Sequence, residues 1–93
     1  MHSIHSKTVM DLRNFHRIDI NLYPLFIAIY EQNSISKAAQ ILSVSQSAAS
    51  HALQRLRQHL QDDLFVRTGS KMQPTPFSEQ IYPEVKNALF AIQ

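Results

Sequence analysis

The sequence contains no cysteine and only one glycine in 93 residues. The absence of cysteine excludes disulfide bridges, thiolate zinc sites and a cysteine nucleophile, and it agrees with a reducing cytoplasm, where we expect the protein to act. One glycine is too few for a glycine-rich loop that binds phosphate. The longest apolar run, Leu25–Tyr30, falls far short of the roughly 20 residues that span a bilayer, so we expect no membrane partner.

The composition indicates one small domain with a modest excess of positive charge. Hydrophobic residues make up 44% of the chain, which is enough for a core. The net charge is +2, but residues 36–71 carry five basic and two acidic side chains, while the rest of the chain carries four and five. A positive segment would attract a phosphate backbone, although a solvated surface with a chance surplus explains the charge equally well.

Four helices and one short hairpin are predicted from residue 21 onward, after a flexible lead-in at residues 1–18 that shows no periodicity. The first helix has a single apolar face and is predicted to be a plain core helix. Asn21 is its expected N-cap, which places Pro24 in the first turn, where proline is tolerated. Residues 32–34 are expected to end it. Its apolar face consists of Leu22, Leu25, Phe26, Ile29 and Tyr30.

Residues 36–61 carry the most informative pattern, two helices joined by a very short turn. The first is predicted at Lys37–Leu42 with Ser36 as its cap, and the second at Gln46–Gln61 with Ser45 as its cap. Helices joined by a two-residue turn cross steeply and need small residues where their backbones meet. This pattern predicts a helix-turn-helix. Ala38 and Ala39 are expected to face Ala48, Ala49 and Ala52, with Leu42, Val44, Leu53, Leu56 and Leu60 behind them.

The second of these helices is sharply two-sided. Its outward side carries hydroxyl, imidazole and amide groups, and no acid occurs between Glu31 and Asp62. Such side chains can donate to and accept from base edges in the major groove of DNA, which admits one α-helix. A merely solvated face is the alternative. The inner residues are Ala49, Leu53, Leu56 and Leu60; the outer residues are Ser47, His51, Gln54 and Gln58, with Ser50 and Arg55 on the flanks.

Three side chains of this motif have competing interpretations. Helix N-termini carry unpaired amides and a partial positive charge, so Ser36 and Ser45 could contact phosphate as well as cap their helices. His51 has no second histidine three or four residues away and no carboxylate nearby in the sequence. We therefore expect no bound metal and assign His51 to base or phosphate contact.

A hairpin is predicted directly after the helix-turn-helix. Leu64–Arg67 and Lys71–Gln73 are its two strands, and the turn between them contains the only glycine. Arg67 and Lys71 are expected at the base of the hairpin, where a wing could contact phosphates or the minor groove together with Thr68. An ordinary hairpin with solvated cations is the alternative.

The last helix is predicted to begin at Pro76 with Thr75 as its cap. Pro83 lies within it and should kink it near Glu79. An apolar stripe on this helix either packs against its own domain or, as we prefer, contacts the same helix of a second copy. A two-fold dimer would present two recognition helices about one turn of DNA apart. The stripe consists of Phe77, Ile81, Val85, Ala88, Leu89 and Ile92.

Four blocks of sequence strongly resemble the N-terminal domain of LysR-type transcriptional regulators. They are Ser36–Leu42, Val44–Leu53, Leu64–Gly69 and Pro74–Pro76, in the family's order and spacing, and the resemblance extends over about residues 19–93. It implies a mainly α winged helix-turn-helix, with a three-helix core and a short β-hairpin wing, followed by a long linker helix that pairs with a second copy. An effector-sensing domain normally follows in the family.

The resemblance also assigns positions. It implies groove-facing roles for Gln46, Ser47, Ser50 and His51, a phosphate contact for Arg55 and a wing contact for Arg67. The family commonly has proline at the position of Ser47 and often arginine at the position of His51. The second difference makes an arginine-type contact with guanine unavailable at that position.

We therefore expect a sequence-specific, dimeric DNA-binding domain that has no cofactor and no catalytic activity. The expected organisation is a lead-in at 1–18, a winged helix-turn-helix at 19–75 and a dimerising linker helix at 76–93. The expected partners are an interrupted inverted repeat in duplex DNA and a second copy, with higher oligomers in a longer protein and any effector bound by a domain outside these residues. A winged helix used for protein–protein contact is the main alternative, and a small enzyme the other.

Overall fold

The computed structural model describes the backbone of residues 22–92 and the side chains of residues 22–90. Within this part, the helices are α1 (Leu22–Gln32), α2 (Ile35–Ile41), α3 (Gln46–Leu60) and α4 (Pro76–Ile92), and the strands are β1 (Phe65–Thr68) and β2 (Lys71–Pro74). The predicted fold class, a winged helix-turn-helix followed by a long helix, is confirmed. The predictions for residues 1–18, for the Asn21 cap and for the Ile92 side chain lie outside the described residues.

The two helices of the helix-turn-helix begin at serine caps. Ser45 has an extended backbone, and its hydroxyl accepts the Ala48 N–H at 3.0 Å, as predicted. The predicted cap of α2 was wrong, because Ser34 rather than Ser36 has the extended backbone of a cap. The Ser34 hydroxyl accepts the Lys37 N–H at 3.1 Å, so α2 begins at Ile35 and contains Ser36 in its first turn.

Three helices end at residues with a left-handed backbone, although none of these residues is glycine. Asn33, Ser43 and Gln61 have φ values of 55°, 59° and 55°. The Ser43 conformation turns the chain sharply between α2 and α3, and the Val44 N–H then donates to the Ala39 carbonyl at 3.0 Å. The two-residue turn of the sequence pattern is confirmed, and its tightness depends on a strained serine.

The core lies where α1 crosses α3 and β1. Phe26 is buried and its ring lies 5.5 Å from that of Phe65. The predicted inner face of α3 is confirmed, since all four of its residues are buried. Two predictions at the helix crossing were wrong: Ala48 is exposed because it is one residue, about 100°, away from the buried Ala49, and Val44 is 45% exposed because the turn directs it outward.

The hairpin pairs Phe65 with Pro74 and Thr68 with Lys71 in an antiparallel register. Gly69, with φ of +64°, lies in the turn as predicted, but the turn has two residues rather than three, because Thr68 pairs with Lys71 and belongs to β1. The prediction that Arg67 and Lys71 lie at the base of the hairpin was wrong. Lys71 belongs to the pair next to the turn and Arg67 to the following one, so both cations lie towards the tip of the hairpin.

Helix α4 packs along α1 and is continuous through Pro83. Its cap is confirmed, because the Thr75 hydroxyl accepts the Ser78 N–H at 3.1 Å. The apolar stripe was predicted to contact the same helix of a second copy, and for two of its residues this was wrong. Ile81 and Val85 are 5% and 2% exposed within one chain and belong to its own core. Phe77, Ala88 and Leu89 are half-buried, and the kink at Pro83 stays a prediction.

Tyrosine rings and an ion pair connect α4 to the end of α1. Tyr30 and Tyr82 stack with ring centroids 4.0 Å apart, and the Tyr82 hydroxyl donates to the Glu31 carboxylate. Lys86 forms an ion pair with Glu31 at 2.8 Å. These contacts hold the middle of α4 against α1, so the direction of α4 relative to the helix-turn-helix is set within one chain.

Candidate nucleic-acid interface

The outward side of α3 presents seven polar side chains, all of them exposed. We call this surface the outer face of α3; it consists of Gln46, Ser47, Ser50, His51, Gln54, Arg55 and Gln58. It contains hydroxyls, amides, an imidazole and a guanidinium, and it contains no acid. The predicted separation of an apolar inner face from a polar outer face is therefore confirmed, and the outer face offers both donors and acceptors.

The N-terminus of α3 begins this surface. The Ser45 hydroxyl caps the helix and lies 3.4 Å from the hydroxyl of Ser47. The first amides of a helix have no partner within it, so this end is electropositive and able to bind an anion. Ser36 is also exposed, but it lies inside the first turn of α2 and caps nothing.

Residues 36–71 contain five basic side chains. Four of them are exposed, and the fifth, Arg57, has a structural role. No side-chain hydrogen bond or ion pair with any residue between 22 and 90 is formed by Arg55, Arg67, Lys71 or Lys37. Arg57 is half-buried and donates three hydrogen bonds, to the Asp63 carbonyl at 2.7 Å, the Phe65 carbonyl at 2.9 Å and the Gln54 amide oxygen at 3.3 Å. It joins α3 to the start of the wing.

The role of Arg57 is not predicted by the sequence pattern. The pattern held one indication, since Arg57 is four residues after the buried Leu53 and next to the buried Leu56. That position lies at the border between the inner and outer faces, where a long side chain can reach a neighbouring element.

A polar junction fixes the wing relative to α4. One carboxylate oxygen of Asp62 accepts the Leu64 N–H at 2.9 Å and the Thr75 hydroxyl at 2.7 Å. The fully buried Ser78 hydroxyl donates to the Leu64 carbonyl at 2.6 Å. Leu64 has a left-handed backbone, with φ of 66°, which directs its N–H and carbonyl into these bonds. We call Asp62, Leu64, Thr75 and Ser78 the polar junction.

The loop after α1 supports the wing from its other edge. The Met72 N–H donates to the Asn33 carbonyl at 2.9 Å, and the Asn33 amide donates to the Met72 carbonyl at 3.3 Å. Both strands of the hairpin are thus bonded to other elements, β1 to α3 through Arg57 and β2 to the loop after α1 through Asn33. The wing is held in one orientation beside α3.

An open groove runs between α3 and the wing. Its polar lining includes Ser50, Gln54 and Arg57 from α3 and Arg67 from the wing. The sequence pattern predicts separate contacts for Ser50, Gln54 and Arg67, and the fold brings these three residues into one groove. Within residues 22–92, no group of three His, Cys, Asp or Glu side chains is arranged to hold a metal ion.

The perturbed titratable groups lie away from this surface, where α1 meets α4. Hydrogen bonds from Lys86 and Tyr82 lower the pKa of the Glu31 carboxyl. The hydrogen bond to Glu31 in turn raises the pKa of Tyr82 and of Lys86. None of these groups belongs to the outer face of α3, so the shifts concern how α4 is held. No helix of residues 22–92 has the length and apolar character of a membrane-spanning segment.

Comparison with known proteins identifies close relatives. Residues 20–79 match the model of the bacterial regulatory helix-turn-helix protein, lysR family. The chain is 40% identical to the HTH-type transcriptional regulator LeuO of Escherichia coli K12 over 76 residues, which cover 82% of this chain and 24% of LeuO. The chain therefore spans about a quarter of the length of that relative.

Two solved structures show the same fold. The probable transcriptional regulator PA0477 from Pseudomonas aeruginosa is 46% identical, with a TM-score of 0.80, over 84% of this chain and 26% of that protein. The BenM_DBD/benA site 1 DNA complex is 25% identical, with a TM-score of 0.76, over 81% of this chain and 84% of that one.

Proposed function

The chain belongs to the lysR family of bacterial regulatory helix-turn-helix proteins, and from this we propose that it is the domain through which a transcriptional regulator binds duplex DNA with sequence preference. The observation that carries the proposal is the outer face of α3, which is polar, exposed and free of acids. A negative charge on that face would repel phosphate. The structural likeness to a BenM DNA complex supports the same reading.

In the proposed complex, α3 lies in the major groove. Gln46 and Ser47 are at its N-terminal end, and Ser50, His51 and Gln54 follow on the same exposed side. Amides, hydroxyls and imidazole can distinguish base pairs by donating to or accepting from their major-groove edges. We assign base contact to these five residues.

The phosphate contacts surround this helix. Ser45 and the N-terminus of α3 would hold one phosphate, and Arg55 on the flank of α3 another. The hydroxyl of Ser36 would add a contact. Arg67, Thr68 and Lys71 lie at the exposed tip of the wing, from which cations reach the adjacent backbone or a narrow minor groove.

We also propose that two copies dimerise through α4. The contact would use only part of the apolar stripe of that helix. Because Ile81 and Val85 are occupied by the core, the remaining candidates are Phe77, Ala88, Leu89 and Ile92. Two copies would recognise an interrupted inverted repeat. We place the regulator in the cytoplasm, and we place effector binding and any higher assembly in parts of a longer protein, because the matched residues cover only 24% of LeuO.

We infer that the domain has no catalytic role, since its family is one of transcriptional regulators. The test is selection of bound sites from a random duplex pool, followed by binding measurements at two salt concentrations. We expect a two-fold symmetric site and affinity that falls steeply with salt. Equal binding to all sequences, or none at low salt, would overturn the proposal and favour a winged helix that contacts proteins.

A further inference from the structure

Arg57 is the one arginine of α3 whose guanidinium is engaged by other described residues. Its Nε and Nη2 atoms donate to the carbonyls of Asp63 and Phe65, and its Nη1 atom donates to Oε1 of Gln54. These three acceptors belong to the connection after α3, to the first residue of the wing and to the outer face of α3. One planar group thus connects the wing with a side chain that we assign to base contact.

The contact with Arg57 determines which end of the Gln54 amide is available. A guanidinium has five N–H donors and no acceptor, so only the amide oxygen of Gln54 can face it. The NH₂ group lies on the other branch of the same planar amide and is directed away from Arg57. Gln54 is exposed, so this NH₂ group is open to a ligand.

We propose that Arg57 is a positioning residue that makes Gln54 a hydrogen-bond donor to the duplex and holds the wing at a set distance from α3. The inference rests on the proposed function, which it deepens. The acceptor is an oxygen or ring nitrogen on a base edge, such as N7 and O6 of guanine, or a phosphate oxygen. A freely rotating glutamine would present either of its two ends.

The arginine is required for its shape as well as for its charge. A lysine has one donor centre and cannot reach two backbone carbonyls and an amide oxygen in three different directions. Three of the five N–H donors of Arg57 are engaged within the domain, whereas the side chain of Arg55 forms no hydrogen bond within residues 22–90 and is open to a phosphate. The two arginines should therefore respond differently to substitution.

The first experiment measures the wing in the free 93-residue protein, without DNA. Hydrogen exchange of the β1 and β2 backbone amides is followed by NMR for the native chain, Arg57→Lys and Arg55→Lys. Arg57→Lys should speed exchange in the wing about tenfold, because the charge-assisted bonds to the carbonyls of Asp63 and Phe65 are lost. Arg55→Lys should leave it unchanged. Equal protection in all three proteins would overturn the role of Arg57 in holding the wing.

The second experiment measures base preference and salt dependence on the selected DNA site. Arg57→Gln should reduce discrimination at one base pair by about threefold to tenfold and leave the salt slope unchanged, whereas the matched Arg55→Gln should lower the slope by about 0.9. In a Gln54→Ala background, Arg57→Gln should have no further effect on discrimination, because the two residues act through one contact. A salt slope reduced in Arg57→Gln as much as in Arg55→Gln would overturn the positioning role.

Gln54→Glu tests the donor directly and, being at the surface, does not threaten folding. One carboxylate oxygen still accepts from Arg57, and the other replaces the NH₂ group. Affinity for the selected site should fall about tenfold. A switch of preference towards cytosine at one base pair supports contact with a base edge, and equal loss on all sequences supports a phosphate.

Unchanged binding by Gln54→Glu, in a native protein that does discriminate between sequences, would overturn the donor assignment alone. Failure of the native protein to bind any duplex would overturn the proposed function instead. The hydrogen-exchange experiment is performed without DNA, so in that case it would still test whether Arg57 holds the wing.

Discussion

The outer face of α3 and the polar junction below the wing use the same kinds of side chain in opposite ways. In the polar junction, Asp62, Thr75 and Ser78 bond to one another and to the backbone of Leu64 over 2.6–3.3 Å. On the outer face, Gln46, Ser50 and His51 form no side-chain hydrogen bond with any residue between 22 and 90. Polar groups in the first region hold the fold, and those in the second remain open to a partner.

Burial explains the difference. A buried hydroxyl such as that of Ser78, which is fully enclosed, would cost about 1–3 kcal/mol if it lacked a partner, so it must be paired within the chain. An exposed amide is hydrated and loses little without a protein partner. Its water can then be exchanged for a base or a phosphate. Arg57 connects the two regions, because its guanidinium donates to the backbone carbonyls of Asp63 and Phe65 and also to Gln54 on the outer face of α3.

The largest effect is expected from breaking the polar junction. Asp62→Ala removes the acceptor of the Leu64 N–H and of the Thr75 hydroxyl, and should lower the free energy of unfolding by about 2–4 kcal/mol. Urea denaturation measures this. Gln58→Ala, on the exposed side of α3, is the control and should change stability by less than about 0.5 kcal/mol. Equal stability of the two variants would contradict the distinction between the regions.

The second effect separates two kinds of contact on the binding surface. Gln46→Ala should cost roughly 1–3 kcal/mol at one base pair and relax preference there, because an amide pairs with one base edge. Arg67→Ala should weaken binding on all sequences and reduce the salt slope by about 0.9. Titration of randomised sites at several salt concentrations measures both. Identical changes in base preference would contradict the assigned roles.

A smaller effect tests the strained end of α3. Gln61 has φ of 55°, a conformation in which a side chain is unfavourable. Gln61→Gly should therefore raise the free energy of unfolding by about 0.5–1 kcal/mol without altering DNA preference. Thermal unfolding of the variant, with exposed Gln80→Gly inside α4 as a destabilised counterpart, provides the measurement. A lower stability of Gln61→Gly would show that the Gln61 side chain supports the helix end.

The smallest effect concerns the contact between α1 and α4. Glu31→Gln removes an exposed ion pair and should lower the melting temperature by only about 2 °C near neutral pH. The pKa of Glu31 is lowered, so its contribution is present above its ordinary value of 4.5 and disappears as the pH falls through the lowered value.

At alkaline pH the dependence is reversed, and the stability contributed by these contacts falls as the pH rises. The pKa values of Tyr82 and Lys86 are raised, so their contribution is complete below their ordinary values of 10.0 and 10.5 and disappears as the pH rises through the raised ones. The difference in melting temperature between native protein and Glu31→Gln should vanish at both extremes. A constant difference from acid to alkaline pH would show that the ion pair is not its cause.

Local patterns predicted the helices, the hairpin and the two faces of α3 correctly, because each depends on residues close together in the chain. The cap of α2 was misplaced by two residues, since Ser34 and Ser36 are both good caps and only the backbone chooses between them. The apolar stripe of α4 was assigned to a partner, although Ile81 and Val85 lie in the core. Periodicity shows that a face is apolar and does not show what covers it.

The predicted binding residues agree with the structure in exposure, and their contacts with DNA stay a prediction. The fold added what spacing could not show. Ser50, Gln54 and Arg67 line one groove. The cations Arg67 and Lys71 lie towards the tip of the wing, and Arg57 is a structural residue. Each of these facts depends on contacts between segments that are separate in the sequence.

The order of residues alone determined that this chain forms a helix-turn-helix with a wing, because caps, small residues and apolar periodicity act within a few turns of backbone. Only the tertiary structure decided which cation is held and which is open, and how the wing stands beside α3. Those outcomes depend on where backbone carbonyls such as those of Asp63 and Phe65 come to lie, and carbonyl positions are set by the packing of the whole domain.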